Sequence, residues 1–219
     1  MLTPEAPEFA EALFLLGEVL ERRGEFERAI ATLEEALDRY PDDPRVWPAN
    51  YLLAESYRRS ALSLKEETAG ATFAAQVQQI RAEAARRFGR ARELYRASVA
   101  EYEVRGVDSL TRLETLYYRH AMLHEADCYF ETGNYQQALK LYEDAAGALK
   151  DSPSCLAVYV QIINSHVFLG QVDEARAALA RARILVDAIP AEAFAKSVSP
   201  ETREDWKRYF GWLGESELF

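Results

Sequence analysis

Residues 10–43 read AEALFLLGEVLERRGEFERAIATLEEALDRYPDD, and this stretch decides the fold. Its apolar residues fall in two blocks: Leu13, Leu16 and Leu20, then Phe26, Ala29, Ile30, Leu33, Ala36 and Leu37. Inside each block the spacing is the three-to-four-residue step that places side chains on one face of a helix. Gly24 stands between the blocks and tolerates the positive φ of a turn between antiparallel helices. Small residues at Gly17 and Ala29 permit close approach of the two helices. Pro41-Asp42-Asp43-Pro44 ends the second helix and opens the next. The unit is a helical hairpin.

The pattern returns downstream. Residues 109–152 repeat it with Ala126, Tyr129, Gly133, Tyr135, Ala138, Tyr142 and Ala145, and residues 154–190 with Ile163, Gly170, Val172, Ala175, Leu179 and Ala182. Pro153 and Pro190 close these two units. The second unit, over 47–104, is split. Its first helix carries Leu53, Ala54 and Tyr57, and its second carries Phe88, Ala91, Tyr95 and Ser98. Tyr57 and Phe88 are 31 positions apart where Leu20 and Phe26 are six, so about 25 residues, 61–85, are inserted. Phe73, Val77, Ile80, Ala84, Phe88, Ala91 and Tyr95 keep one apolar stripe, which predicts a single helix from 72 to about 104. The turn then falls at Thr68-Ala69-Gly70, and the hairpin extends roughly 18 Å beyond its neighbours.

Gly106 reads as a helix stop and Asp108-Ser109 as the cap of the following helix. Ser199-Pro200 reads as the start of a last helix, about 200–214, with Trp206, Tyr209, Phe210 and Leu213 on one face. Such a helix would cover the apolar flank of the final repeat, with Trp206 and Trp212 packing in the cap. No Pro- or Gly-rich linker interrupts the chain, so the reading is one all-α domain over 1–219: an antiparallel helix-pair solenoid of about four units and a capping helix.

Composition narrows the function. Hydrophobic residues make up 49% and charged residues 28%, an ordinary globular balance. A net charge of −10 argues against nucleic acid and anionic membranes, which want clustered Lys and Arg. The long uncharged run after Ser152 fails as a membrane span because it holds Pro153, Gln161, Asn164, Ser165, His166 and Gly170. MLTPEAPEFAE has neither a basic n-region nor an apolar h-region, so no signal peptide is read. Cys128 and Cys155 lack metal-motif spacing and read as small buried helix residues. No nucleophile elbow and no glycine-rich phosphate loop is found, so neither an enzyme nor a cofactor is expected.

The repeat is similar to the tetratricopeptide family. Leu13, Leu16, Gly17 and Leu20 occupy that family's first-helix sites, and Ala29, Leu33, Ala36 and Pro41 its second-helix sites. Leu13 stands where the family often has Trp, Leu20 where it often has Tyr, and His166 fills another such Tyr site. YLLAESYRR together with GEFERAIATLEEALDRYPDDP resembles the repeats of bacterial cell-envelope proteins of the outer-membrane-assembly and Tol–Pal associated kind. The compartment is left between bacterial cytoplasm and periplasm.

The resemblance implies a concave groove lined by the first helix of each repeat. One row there reads Phe14, Tyr51, Leu123 and Val160, and the next Glu18, Glu55, Asp127 and Asn164; Arg58, Arg59, Phe130 and Phe168 lie one turn further. The expected function is a non-enzymatic scaffold gripping an extended or helical segment of another protein. Phe14, Glu18 and Leu52 stand where the carboxylate-gripping subclass needs Lys, Asn and Asn, so that ligand is excluded. The alternative is the C-terminal part of a larger repeat protein that self-associates through the hairpin tip at Phe73 and Val77. A third reading places a metal at His120 and His124, which share a helical face with Asp127. That face lacks the Glu that metalloprotease motifs require.

Overall fold

The structure is a computed structural model that describes residues 7–70, 73–197 and 200–216. All regular elements among these residues are helical: α1 (Pro7–Arg22), α2 (Phe26–Arg39), α3 (Val46–Glu67), α4 (Ala74–Arg105), α5 (Arg112–Glu131), α6 (Tyr135–Ala148), α7 (Ser154–Phe168), α8 (Val172–Ala188), α9 (Ala191–Ala195) and α10 (Arg203–Glu215). They gather into two compact units, Met1–Thr132 and Gly133–Phe219.

In the first unit α1 to α4 form two hairpins, each helix packed on the next, and α5 packs on α4. The turn at Gly24 has φ 75°, and it closes with Gly24 N–H donating to Glu21 O at 2.9 Å and Glu25 N–H donating to Leu20 O at 3.0 Å. This paired bonding satisfies two of the carbonyls that a helix end leaves open. The second unit repeats it at Gly170, φ 71°, with Gly170 N–H on Val167 O and Gln171 N–H on His166 O. Close approach at Gly17 is also real, though its neighbour is Leu33. A Cβ at Gly17 would stand 2.5 Å from Leu33 Cδ2. Leu16, a repeat-signature position, is 45% exposed, because the α1 face it shares with Leu15 and Val19 is only half covered.

The inserted hairpin follows the sequence reading closely. Helix α3 runs to Glu67, a single 3-10 turn occupies Thr68–Gly70, and α4 continues unbroken for 32 residues, about 48 Å. Thr72 lies outside the described residues. The α4 stripe is buried at Ala84, Phe88, Ala91 and Tyr95, half-buried at Ile80 and Val77, and open at Phe73, which is 72% exposed. The hairpin is braced at its flanks. Ser60 Oγ donates to Glu27 Oε1 at 2.8 Å, Arg87 pairs with the same carboxylate, and Lys65 pairs with Glu131.

Two helix starts differ from the sequence reading for one reason. Ser109 does not cap α5: Val107–Ser109 forms a 3-10 turn and the cap is Thr111, in a reciprocal box with Glu114. Helix α10 does not start at Ser199-Pro200: Pro200 and Glu201 are not helical, and the cap is Thr202, boxed with Asp205. Ser199 lies outside the described residues. An acidic side chain three residues after the Thr returns a bond to its N–H, which a lone Ser cap lacks.

In the second unit α7 packs between α6 and α8, and α10 lies on α8. Phe210 and Leu213 are the buried anchors of α10, and Arg183 of α8 donates to Phe210 O at 2.7 Å. Trp206 stacks on Phe210 at 5.5 Å, as a capping role requires. Trp212 does not pack in the cap: it sits on the opposite edge of α10, 61% exposed. Cys128 and Cys155 are free and buried.

Candidate functional site

The predicted groove residues of the first unit lie on α1, α3 and α5, whose facing sides meet along one surface. The apolar row differs from expectation. Phe14 and Tyr51 are each only 5% exposed and belong to the hydrophobic core, so they form the floor of the surface and not a grip on it. The reason is local packing: Arg45 covers the Phe14 ring at 5.6 Å, and Tyr117 of α5 stacks on Tyr51 at 4.2 Å. Leu123 remains half-buried.

The charged row is likewise not a bare acidic wall. Each carboxylate has a basic partner about one turn along the same helix. Glu18 pairs with Arg22 at 2.6 Å, Glu55 with Arg58 at 2.5 Å, and Asp127 with His124 Nδ1 at 2.9 Å. Glu55 is the hub. Tyr95, reaching across from α4, donates its hydroxyl to Glu55 Oε2 at 2.6 Å, and His124 Nε2 lies 3.9 Å from the same oxygen. Burial alone would raise the Glu55 carboxyl; His124, Arg58 and the Tyr95 hydroxyl outweigh it and draw it down to about 2. The carboxylate therefore stays ionised. Burial raises the hydroxyls of Tyr51 and Tyr95, which stay protonated donors.

His120 sits beside this cluster, its Nδ1 3.3 Å from the Tyr51 hydroxyl and its ring 5.5 Å from that of His124. Burial lowers the His120 pKa, with the His124 charge adding to the effect, so His120 is held neutral. Among the described residues no group of three or more His, Cys, Asp or Glu side chains is placed to hold a metal ion. Both histidines instead spend a ring nitrogen on protein partners, Tyr51 and Asp127.

Phe130, one turn beyond, is half-buried. In the second unit Val160 and Asn164 are half-buried on α7, Asn164 donating to Gln161 Oε1 at 3.4 Å. Phe168 is exposed and stacks on Tyr135 at 4.7 Å. His166 is buried with Nδ1 2.8 Å from Gln171 Oε1, a structural residue as its repeat position implied. The sequence reading missed Tyr117 and the second role of Tyr95. Tyr95 was visible only as a repeat-core residue, because its bond partner lies 40 positions away.

No helix of the described residues is long and apolar enough to cross a membrane. Three descriptions of the tetratricopeptide repeat match residues 10–59, 80–153 and 129–188, together more than half of the chain. No match is found among curated proteins. Similar solved structures include nearly identical TPR-like repeats assigned to a putative kinesin light chain of Podosopora anserina, at 20% identity and TM-score 0.42, covering 83% of this chain and 96% of that one. A single-substitution variant of the same repeats gives 19% identity and TM-score 0.42, covering 86% of this chain and 98% of that one.

Proposed function

The chain belongs to the tetratricopeptide-repeat family, whose repeats are generally protein–protein interaction modules, and from this premise we propose that it is a non-enzymatic scaffold binding a segment of another protein on the α1–α3–α5 surface. The observation that carries the reading is pre-organisation. Glu55, Arg58, His124 and Asp127 are fixed by one another and by Tyr95 before any partner arrives. Side chains already ordered cost little to order on binding, so their remaining hydrogen-bonding capacity goes to the partner. Leu123 adds apolar contact above the Phe14 and Tyr51 floor, and Val160 and Asn164 hold the corresponding α7 positions in the second unit. The segment is extended or helical, and polar enough to meet paired charges. Likeness of the first repeat to cell-envelope proteins favours a bacterial envelope partner.

A photo-crosslinking residue at Leu123 or Arg22, in lysate of the source organism, tests this. Adducts from these positions, and none from Glu35 on α2, are expected. Adducts from Glu35 and not from Leu123 or Arg22 would remove the binding surface from these helices. A second reading, association through the hairpin tip, is favoured by the exposure of Phe73 at 72%.

A further inference from the structure

A separate cavity lies wholly within the second unit, where α7 passes between α6 and α8. Its volume is about 350 Å³. Ile162, Cys155, Ala146 and Leu185 supply an apolar floor, and Lys150, Arg181, Glu143 and Tyr159 stand around it. Lys150 and Arg181 are both exposed. Of the five arginines of this unit, Arg176, Arg183, Arg203 and Arg208 each hold a carboxylate or a backbone carbonyl. Arg181 makes no hydrogen bond or ion pair with a described residue, and neither does Lys150. Two unpaired cations beside one cavity, in a chain of net charge −10, mark a place for an anion.

Gly147, the penultimate residue of α6, also lines the cavity, and nothing stands within 4 Å of where its Cβ would be, so a larger side chain there would enter the open space.

We propose that this cavity is a second binding site, taking an acidic–apolar peptide segment of a partner protein: one Asp or Glu carboxylate beside one aliphatic or aromatic side chain. Arg181 and Lys150 hold the carboxylate, with the Tyr159 hydroxyl as a further donor. The apolar side chain rests on Ile162 and Leu185. Exposed Glu143, at the same rim, repels a second carboxylate and so limits the segment to one. The volume is near the lower end of the roughly 300–1,000 Å³ of ligand sites, enough for a side chain or two. The Cys155 thiol takes no chemical part: it donates to Ala146 O at 3.5 Å, and burial raises it to about 11.

The test is selection of phage-displayed random octapeptides on the full chain, followed by fluorescence anisotropy with the selected peptide. Peptides with a single carboxylate next to an apolar residue are expected to be enriched. The double substitution Lys150→Gln/Arg181→Gln should weaken their binding roughly tenfold or more, and Gly147→Leu should weaken it by filling the cavity. Leu123→Ser, on the α5 surface, should leave it unchanged. Selected peptides without a carboxylate, no enrichment, or binding that survives both cavity changes would overturn the proposal. Binding lost in Leu123→Ser but kept in the double variant would assign the peptide to the first surface instead.

Discussion

Tyr95 and Glu55, 40 positions apart, are joined by a 2.6 Å hydrogen bond from the phenol to the carboxylate, across the α3–α4 interface. Tyr95 is fully buried and also forms part of the hydrophobic core, so one side chain serves packing and the charged surface together. Removing only its oxygen separates the two roles. Tyr95→Phe should cost about 1.5–3 kcal/mol in urea unfolding, the range for a hydrogen bond to a charged group, while the far-ultraviolet circular dichroism stays unchanged.

The low Glu55 pKa fixes a pH dependence. The folded-state value, about 2, lies below the ordinary 4.5, so Glu55 contributes stability that is complete above about pH 4.5 and is lost as pH falls toward 2. The wild-type protein should therefore lose stability across this window faster than Glu55→Gln, which has no such proton to take up. Parallel urea titrations at pH 5 and pH 3 measure the difference; equal slopes would contradict the assignment.

The Gly17–Leu33 contact is expected to reject even a methyl group. A Cβ would lie 2.5 Å from Leu33 Cδ2, and Leu33 is fully buried with no room to turn aside. Gly17→Ala should destabilise by about 1–3 kcal/mol, against the gain that helix propensity alone would give. Gly147→Ala, with open space at the same atom, should be neutral or slightly stabilising. Thermal unfolding of the pair makes the comparison.

Each threonine cap should matter locally. Thr111→Ala and Thr202→Ala each remove the side-chain half of a box, the bond from the N–H of Glu114 or Asp205, and leave the backbone half in place; each should cost about 1 kcal/mol. Hydrogen exchange should quicken in the first turn of α5 or α10 respectively and nowhere else.

Phe73 separates the hairpin readings. At 72% exposure it contributes little to folding, so Phe73→Ser should leave unfolding within about 0.5 kcal/mol of wild type. If the tip mediates association, sedimentation velocity at rising concentration will show a change between the two proteins. Identical profiles, with an unchanged set of crosslinked partners, would make the hairpin a braced extension alone.

The sequence by itself determined the helices and the pairing within the hairpins α1–α2, α3–α4 and α7–α8. These follow from local rules: apolar residues at helical spacing, Gly24 and Gly170 where a turn demands positive φ, and Pro41 where a helix must stop. Thr68-Ala69-Gly70 was legible for the same reason, because the continuous stripe of the second arm begins just beyond it at Phe73. The two threonine caps were equally local and were missed because the nearby Ser-containing pairs gave a similar signal. Tertiary structure decided the character of the surface. Phe14 and Tyr51 occupy groove positions in the repeat, yet they are buried because Arg45 and Tyr117 cover them. A row that reads acidic is balanced, because side chains one turn apart on a helix meet and the string of letters does not show which of them do. The partnership of Tyr95, Glu55 and His124 joins three helices, and Arg58, His124 and the Tyr95 hydroxyl together hold the half-buried Glu55 ionised. That burial depends on the packing distance between helices far apart in sequence, which residue spacing along the chain does not encode.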